Sequence, residues 1–436
     1  MHQIRWLLIP CLLVIFLSAC SAPAAVPAPQ LAATQAPQSS ATAPATQTAL
    51  PATVTAIPAT PSAIPPTATS QAGVPVVIAQ LRMLDADSGW GWSLKADGSL
   101  DQLLRTADGG ATWLKASPSQ TSINPDGGFF LNAQTAWVPF FDPVTNAGNL
   151  LRTTDGGKTW SSLPPLESAQ NAWYEFSSAN DGVAQTAGVG AGNLYLNLYK
   201  TGDGGQSWAP ILITPPSAEP GLTAGTVHLC NICGDELYFD SARAIIAYGD
   251  LANDSAGAVR LAISTDLGQQ WQDLKLPMPD SKYADGLVGP RPMRFFGAQG
   301  VLPVNIIKYG ADGALAYSVL SLYSTQDGGQ HWVAAPALLE SASGQFDAVQ
   351  ILSPTDAFVR CGKNLCATHD GAQSWQTLPD NLNFDSAQGG PDYVSQYSFV
   401  SPTSGWAISG EGETANLWKT TDGGASWTKL APSLNP

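Results

Sequence analysis

Two kinds of chemistry can be built from the ionisable residues of this chain. Cleaving a glycosidic bond takes two carboxylates flanking it, about 5–10 Å apart depending on mechanism. Asp85, Asp240, Asp285, Asp347 and Glu175 are available for that work, and no spacing among them singles out a pair. Clamping a ligand carboxylate takes clustered guanidinium groups, whose planar forks donate two hydrogen bonds at once. Arg82, Arg243, Arg260, Arg291, Arg294 and Arg360 could form such a cluster, whereas Arg105 and Arg152 merely lead into a recurrent turn. With 4 His, no nucleophile elbow and no phosphate loop, little other catalysis is open to the chain. No cofactor is expected. The balance of 19 Lys+Arg against 34 Asp+Glu, a formal charge of −15, argues against nucleic acid, which demands surplus cations. It gives weak guidance towards a partner with basic patches.

Cysteines add a second set. Cys361-Gly362-Lys363-Asn364-Leu365-Cys366 reads as a hairpin turn. If Lys363-Asn364 form a two-residue turn, Cys361 faces Cys366 in a non-hydrogen-bonded pair with Cα atoms about 4.5 Å apart, a span a disulfide can bridge. Cys230-Asn231-Ile232-Cys233 admits a local disulfide, pairing with the other two cysteines, or a zinc site with His228 and His369. The four residues between Cys361 and Cys366 fit a four-cysteine zinc site poorly, so no metal is expected. A redox Cys-x-x-Cys would have to open a helix in an α/β unit, and no such pattern surrounds Cys230.

The first residues give an address. Arg5 precedes a short apolar run from Trp6 to Phe16, too short to span a bilayer and suited to a signal-peptide core. Leu17-Ser18-Ala19-Cys20 resembles the bacterial lipobox, so residues 1–19 are expected to be removed and Cys20 acylated. Each buried acyl CH₂ contributes about 0.8 kcal/mol, and more than one chain anchors stably. The expected location is the outer face of the cytoplasmic membrane, at a cell surface or in a periplasm, an oxidising setting that favours disulfides. From Ser21 to Leu81 no residue is charged, and Ala, Pro and Thr dominate. Residues 20–75 therefore read as a disordered tether without a core to bury.

The remaining residues, 76–436, must position whatever site exists. Rich in Gly (42) and Trp (14) and only 12% charged, the chain favours short strands and tight turns. One pattern recurs seven times, first as Thr106-Ala107-Asp108-Gly109-Gly110-Ala111-Thr112-Trp113. Its aspartates are Asp108, Asp155, Asp203, Asp266, Asp327, Asp370 and Asp422, each with Thr or Ser two residues before and Trp five after. Six copies carry Gly two residues after the Asp; the sixth copy has Ala372, and the fourth has Leu267 where the others have their first Gly. An Asp side chain can accept from backbone N–H groups about two residues on, a preceding hydroxyl can brace it, and Gly permits positive φ. Before each turn lies a strand, a Ser/Asp/Gly turn and a second strand, as from Met83 to Trp90. Four antiparallel strands repeated seven times, the aspartates 43–63 residues apart, predict an all-β fold: a seven-bladed β-propeller.

The repeated turn resembles the Asp-box, or BNR repeat. Combined with the Gly-Trp strand, it is similar to propellers of the photosystem II stability and assembly factor type. The resemblance implies the fold, with the seven aspartates as structural turns on the periphery. It says little of function, because the same turn occurs in sialidases, xyloglucanases and sortilin-type receptors. The Arg-Ile-Pro signature of sialidases is missing, and xyloglucanases usually contain two propellers where this chain has residues for one.

In a four-stranded blade the connections that enter the first strand share one face with those between the second and third. Long insertions, 209–236, 272–292 and 379–396, fall on that face, together with the 303–318 connection and both cysteine pairs. Long loops on a rigid scaffold are where binding concentrates. Trp173, Tyr174, Tyr283, Tyr309 and Tyr393 are the candidate ligand-contacting aromatics there. The expected function is non-catalytic binding or scaffolding by a lipid-anchored monomer that recognises a protein or glycan, with assembly or stability of a membrane complex as the version implied by the resemblance. A glycoside hydrolase is the alternative.

Overall fold

The turn is held by its own hydroxyl and carboxylate. Thr106 Oγ1 donates to Asp108 Oδ1 (2.9 Å) and accepts from the Gly110 N–H (3.0 Å). The Asp108 carboxylate accepts from the N–H groups of Ala111 (3.1 Å) and Thr112 (2.9 Å) and from the Thr112 hydroxyl (2.6 Å). The donors lie three and four residues on, further than the two that a simple Asx turn requires. Gly109 and Gly110 take φ of +74° and +94°, and Trp113, fully buried, donates its indole N–H to the Gly110 carbonyl (2.9 Å). The i-to-i+4 backbone bond to the carboxylate recurs at Asp155, Asp203, Asp266, Asp327, Asp370 and Asp422.

Each such turn joins the third and fourth strands of a sheet. The computed structural model describes residues 73–435 apart from 96–98, 120–127, 143–146, 167–171, 191–192, 213–221, 225–226, 230–235, 241–242, 250–257, 267–269, 342–345, 347, 380 and 385–392. The fold is a seven-bladed β-propeller of four-stranded antiparallel blades. Blade one comprises Ile78–Met83, Gly89–Leu94, Leu100–Thr106 and Thr112–Lys115 from the channel outwards; blade seven comprises Val394–Phe399, Gly405–Ser409, Asn416–Thr420 and Thr428–Lys429. Second strands are buried on both faces, as in Gly405–Ser409, because each blade is sandwiched between two others. The proposed signal peptide, the acylated Cys20 and the tether as far as residue 72, with Cys230, Cys233 and Asp347, lie outside the described residues, whereas Val74–Pro75, expected at the end of the tether, form a strand instead.

Aromatic residues fill the space between blades. Trp137 of blade two stacks on Phe176 of blade three with centroids 3.7 Å apart and planes 5° off parallel, and Phe358 stacks on Phe399 between blades six and seven at 3.7 Å and 3°. Polar groups lock the same interfaces. The indole N–H of Trp137 reaches the Gly204 carbonyl (3.0 Å), and Arg152 donates to the Ala179 carbonyl (2.8 Å). Arg105 likewise reaches the Ala133 carbonyl (3.2 Å), so both arginines tie one blade to the next.

The ring closes in two places. Between blades seven and one, Gln396 exchanges two hydrogen bonds of 2.8 Å with the backbone N–H and carbonyl of Leu81, while Trp406 donates to the Gly109 carbonyl (2.8 Å). At the rim, Ser433–Leu434 lies parallel to Thr112–Lys115, and Val74–Pro75 pairs antiparallel with Ser433–Leu434. The chain's two described ends thus form an outer clasp on blade one.

Two expectations change. The 303–318 segment is mostly strand: Gln299–Tyr309 and Leu315–Thr325 run as a long hairpin, joined by a short turn. Pro303 is tolerated because the inner neighbour breaks there into Leu287–Pro290 and Arg294–Phe296, leaving no ladder partner for a Pro nitrogen to satisfy. Cys361 and Cys366 are disulfide-bonded, but the turn is Gly362-Lys363, with Cys361 opposite Asn364 and Val359 opposite Cys366. Gly362 at φ +66° permits the turn to sit one residue earlier, so the cysteines are diagonal neighbours with Cα atoms 5.8 Å apart.

Candidate functional site

The innermost strands surround a central channel of about 1280 Å³. Side chains alternate along these strands, one set packing between blades and the next turning inwards. The residue opposite the start of each second strand, or in blade five opposite Gly300, one residue into its second strand, marks equivalent places: Met83, Phe130, Phe176, Phe239, Phe295, Ile351 and Phe399. One residue earlier, blades one, three and five contribute Arg82, Glu175 and Arg294 to one level of the channel. Phe129, Tyr238, Gln350 and Ser398 complete that level. One pleat nearer the insertion-rich face, Trp173 precedes Glu175 and Glu236 precedes Tyr238.

Most channel-facing polar groups bind the next blade. Gln350 accepts from the Phe399 N–H (2.8 Å) and donates to the Tyr397 carbonyl (2.9 Å), and Arg294 donates one N–H to the Ile351 carbonyl (2.9 Å). Arg82 and Glu175 differ. Among the described residues they gain no hydrogen bond, and they sense each other and Arg294 only through space. Both residues are nevertheless exposed.

Enclosure raises the Glu175 carboxyl from 4.5 to about 7, against the pull of Arg82 and Arg294. It raises Glu236 to about 7 as well, opposed by Arg291 and reinforced by Glu175. Burial, with repulsion from Arg294, pulls the Arg82 guanidinium below its ordinary value despite Glu175. Because the folded carboxyl pKa values lie above the unfolded ones, the folded state holds extra protons between pH 4.5 and about 7. Stability therefore falls as pH rises through that window. Channel water screens the effect, so about 1 kcal/mol per glutamate is expected. Chemical denaturation of the full chain from pH 5 to 8 should show this slope, and Glu175→Gln with Glu236→Gln should flatten it; an unaltered slope in the double variant would contradict the assignment.

The other candidates are engaged elsewhere. Asp240 pairs with Arg243 (2.7 Å) and accepts from the Tyr238 hydroxyl (3.1 Å). Asp85 accepts from the N–H groups of Asp87 (2.9 Å) and Ser88 (2.7 Å) and so builds its own turn. Asp285 is bound by Lys308 and by the Tyr317 hydroxyl (2.9 Å), and Arg260 pairs with Asp273 (2.8 Å). Arg360 is buried, donating to the Tyr393 hydroxyl and to the Val394 carbonyl (2.7 Å). Among the aromatics, Tyr174 packs on Trp208 in the core, and Tyr283 is buried with its hydroxyl on Glu340 (2.9 Å). Tyr393 is half-buried, Tyr309 is 49% exposed on blade five, and Trp173 is 66% exposed one pleat from Glu175.

Glu236 went unmarked in the sequence reading. Its signal was available: it precedes the first-strand tyrosine of blade four by two residues, as Trp173 precedes Glu175 in blade three.

These features define a class: a seven-bladed β-propeller with an ionic central channel. No protein-family model matches the chain, and no curated protein does. Solved structures with the same kind of architecture include YCF48 bound to a D1 peptide, at 17% identity over 80% of this chain and 95% of that one, with a TM-score of 0.44. The GH74 xyloglucanase from Xanthomonas campestris is 13% identical over 82% of this chain and 55% of its own, with a TM-score of 0.49. A prolyl endopeptidase reaches a TM-score of 0.50 at 7% identity, over 82% of this chain and 50% of that one. At such identities the likeness concerns the fold alone.

Proposed function

We propose that this chain is an exported binding propeller, tethered to the outer face of the membrane through an acylated Cys20, that takes its ligand into the central channel without chemistry. The observation that carries the reading is the pair of charged groups, Arg82 and Glu175, that gain no hydrogen bond among the described residues while lining the open central channel. A folded protein that leaves ionic groups unsatisfied in an enclosed site gives up stability there, as binding sites commonly do. The Asp-box reading of the repeated turns assigns them to the scaffold, far from this role. Holding a component of a membrane complex for assembly or stability is the version that the sequence resemblance favours.

The full chain in detergent is expected to recover a defined ligand or partner from solubilised membranes and extracellular polymer. Arg82→Gln combined with Arg294→Gln should weaken that recovery at least tenfold, about 1.4 kcal/mol. Unchanged recovery by the double variant would move the site off the channel. A glycoside hydrolase is the second reading, favoured by Glu175 and Glu236, two carboxyls on neighbouring blades that burial raises to about 7, a range suited to a general acid. Turnover of an extracellular glycan that is lost in both Glu175→Gln and Glu236→Gln would establish it in place of simple binding.

A further inference from the structure

Among the described residues, Trp173 is the one large aromatic side chain that combines high exposure, 66%, with a place on an innermost strand beside the ionic level of the channel. An exposed indole costs free energy in water unless something covers it. It lies on the same side of its strand as Glu175, one pleat away and towards the insertion-rich face. A ligand entering from that face would meet the flat apolar surface first and the ionic groups next.

We propose that the channel receives the end of an acidic saccharide, a uronate-bearing chain whose sugar ring lies on Trp173 and whose carboxylate sits between Arg82 and Arg294. This rests on the reading of the channel as the binding site and adds the class of ligand. The argument is one of matched chemistry. A sugar ring offers a flat apolar C–H face, hydroxyl donors at its edge and, in a uronate, one carboxylate. Trp173 answers the first, Glu175 the second as an acceptor, and the two guanidinium groups the third. An acidic peptide would use the arginines, but it would have no need of the indole. The channel, about 1280 Å³, exceeds the roughly 300–1,000 Å³ of ordinary small-molecule pockets, which suits a chain end better than a single sugar. Two arginines facing one glutamate also give this level a positive balance inside a chain of net charge −15.

Titration calorimetry on the full chain in detergent tests this with three probes: tetragalacturonate, its methyl ester and a tetraglutamate peptide. Tetragalacturonate should bind, the ester at least tenfold more weakly. Trp173→Ala should weaken the saccharide at least tenfold, and its exposure makes folding of that variant secure. Arg82→Gln and Arg294→Gln should each do the same. Affinity should rise from pH 8 to pH 6, as Glu175 takes up a proton among Arg82, Arg294, Glu236 and Tyr238 while the uronate remains ionised. Absence of tetragalacturonate binding, or binding indifferent to Trp173→Ala, overturns the proposal. If the peptide alone binds and depends on the arginines, the saccharide fails but the channel remains the binding site. If recovery of partners from membranes also ignores the arginines, the channel reading itself falls.

Discussion

Replacing Trp406 by alanine should destabilise the propeller by about 3–5 kcal/mol, the range for truncating a fully buried aromatic. The indole is 0% exposed, within the cluster formed by blades seven and one. It packs with Leu81, Met83 and Trp113 of blade one and with Leu417 of its own blade. Removing it leaves a cavity that two rigid sheets cannot close, and it strips the Gly109 carbonyl of its indole donor at 2.8 Å. The loss falls on the interface that joins the last blade to the first, so no neighbour further round the ring can compensate. Denaturant unfolding of the full chain would measure it, with Trp173→Ala, a 66% exposed tryptophan, as the control expected to stay within about 0.5 kcal/mol. A Trp406→Ala cost below about 1.5 kcal/mol would mean that this interface does not hold the ring.

Gly157→Ala should cost about 2–4 kcal/mol. At its φ of +83° any Cβ is disfavoured by about 1–2 kcal/mol, and crowding adds about 1–3. The new methyl would lie 2.6 Å from the Ala116 Cβ and 2.7 Å from the Ala116 carbonyl oxygen, on the adjoining blade's backbone. That backbone also accepts the Trp160 indole N–H (2.9 Å), so it cannot withdraw freely. Ala372 shows that the position is not closed to alanine in principle. It occupies the matching place in the sixth turn, at φ +58° and fully buried. Gly297→Ala separates the two contributions, because Gly297 has φ +70° and nothing within 4 Å of the place its methyl would take. If Gly157→Ala and Gly297→Ala cost the same, crowding against Ala116 plays no part.

The architecture was legible because it is repeated. A hydroxyl two residues before an aspartate and a tryptophan five after are local relations, and seven copies of a local relation reveal a ring. The channel is the opposite case. Arg82, Glu175 and Arg294 stand 93 and 119 residues apart and become neighbours only through closure of the ring, so no motif contains them. Sequence reasoning named all three among wider sets, and only the strand register shows that they share one level. It passed over Glu236 for want of that register. It also read 303–318 as a connection, although Val304, Ile306 and Ile307 are core residues of a long hairpin. Pro303 has the look of a loop residue there, and its place in a strand depends on a break in the neighbouring strand that lies earlier in the chain.

The clasp on blade one bears on how such rings can evolve. Its first four strands, from Ile78 to Lys115, come from one continuous stretch, and the two ends merely join outside them. No blade is assembled from halves at opposite termini. A gene that gained or lost one blade's worth of codons would keep both halves of the fastening intact, so the number of blades is free to drift by duplication and deletion while the means of closure is inherited unchanged.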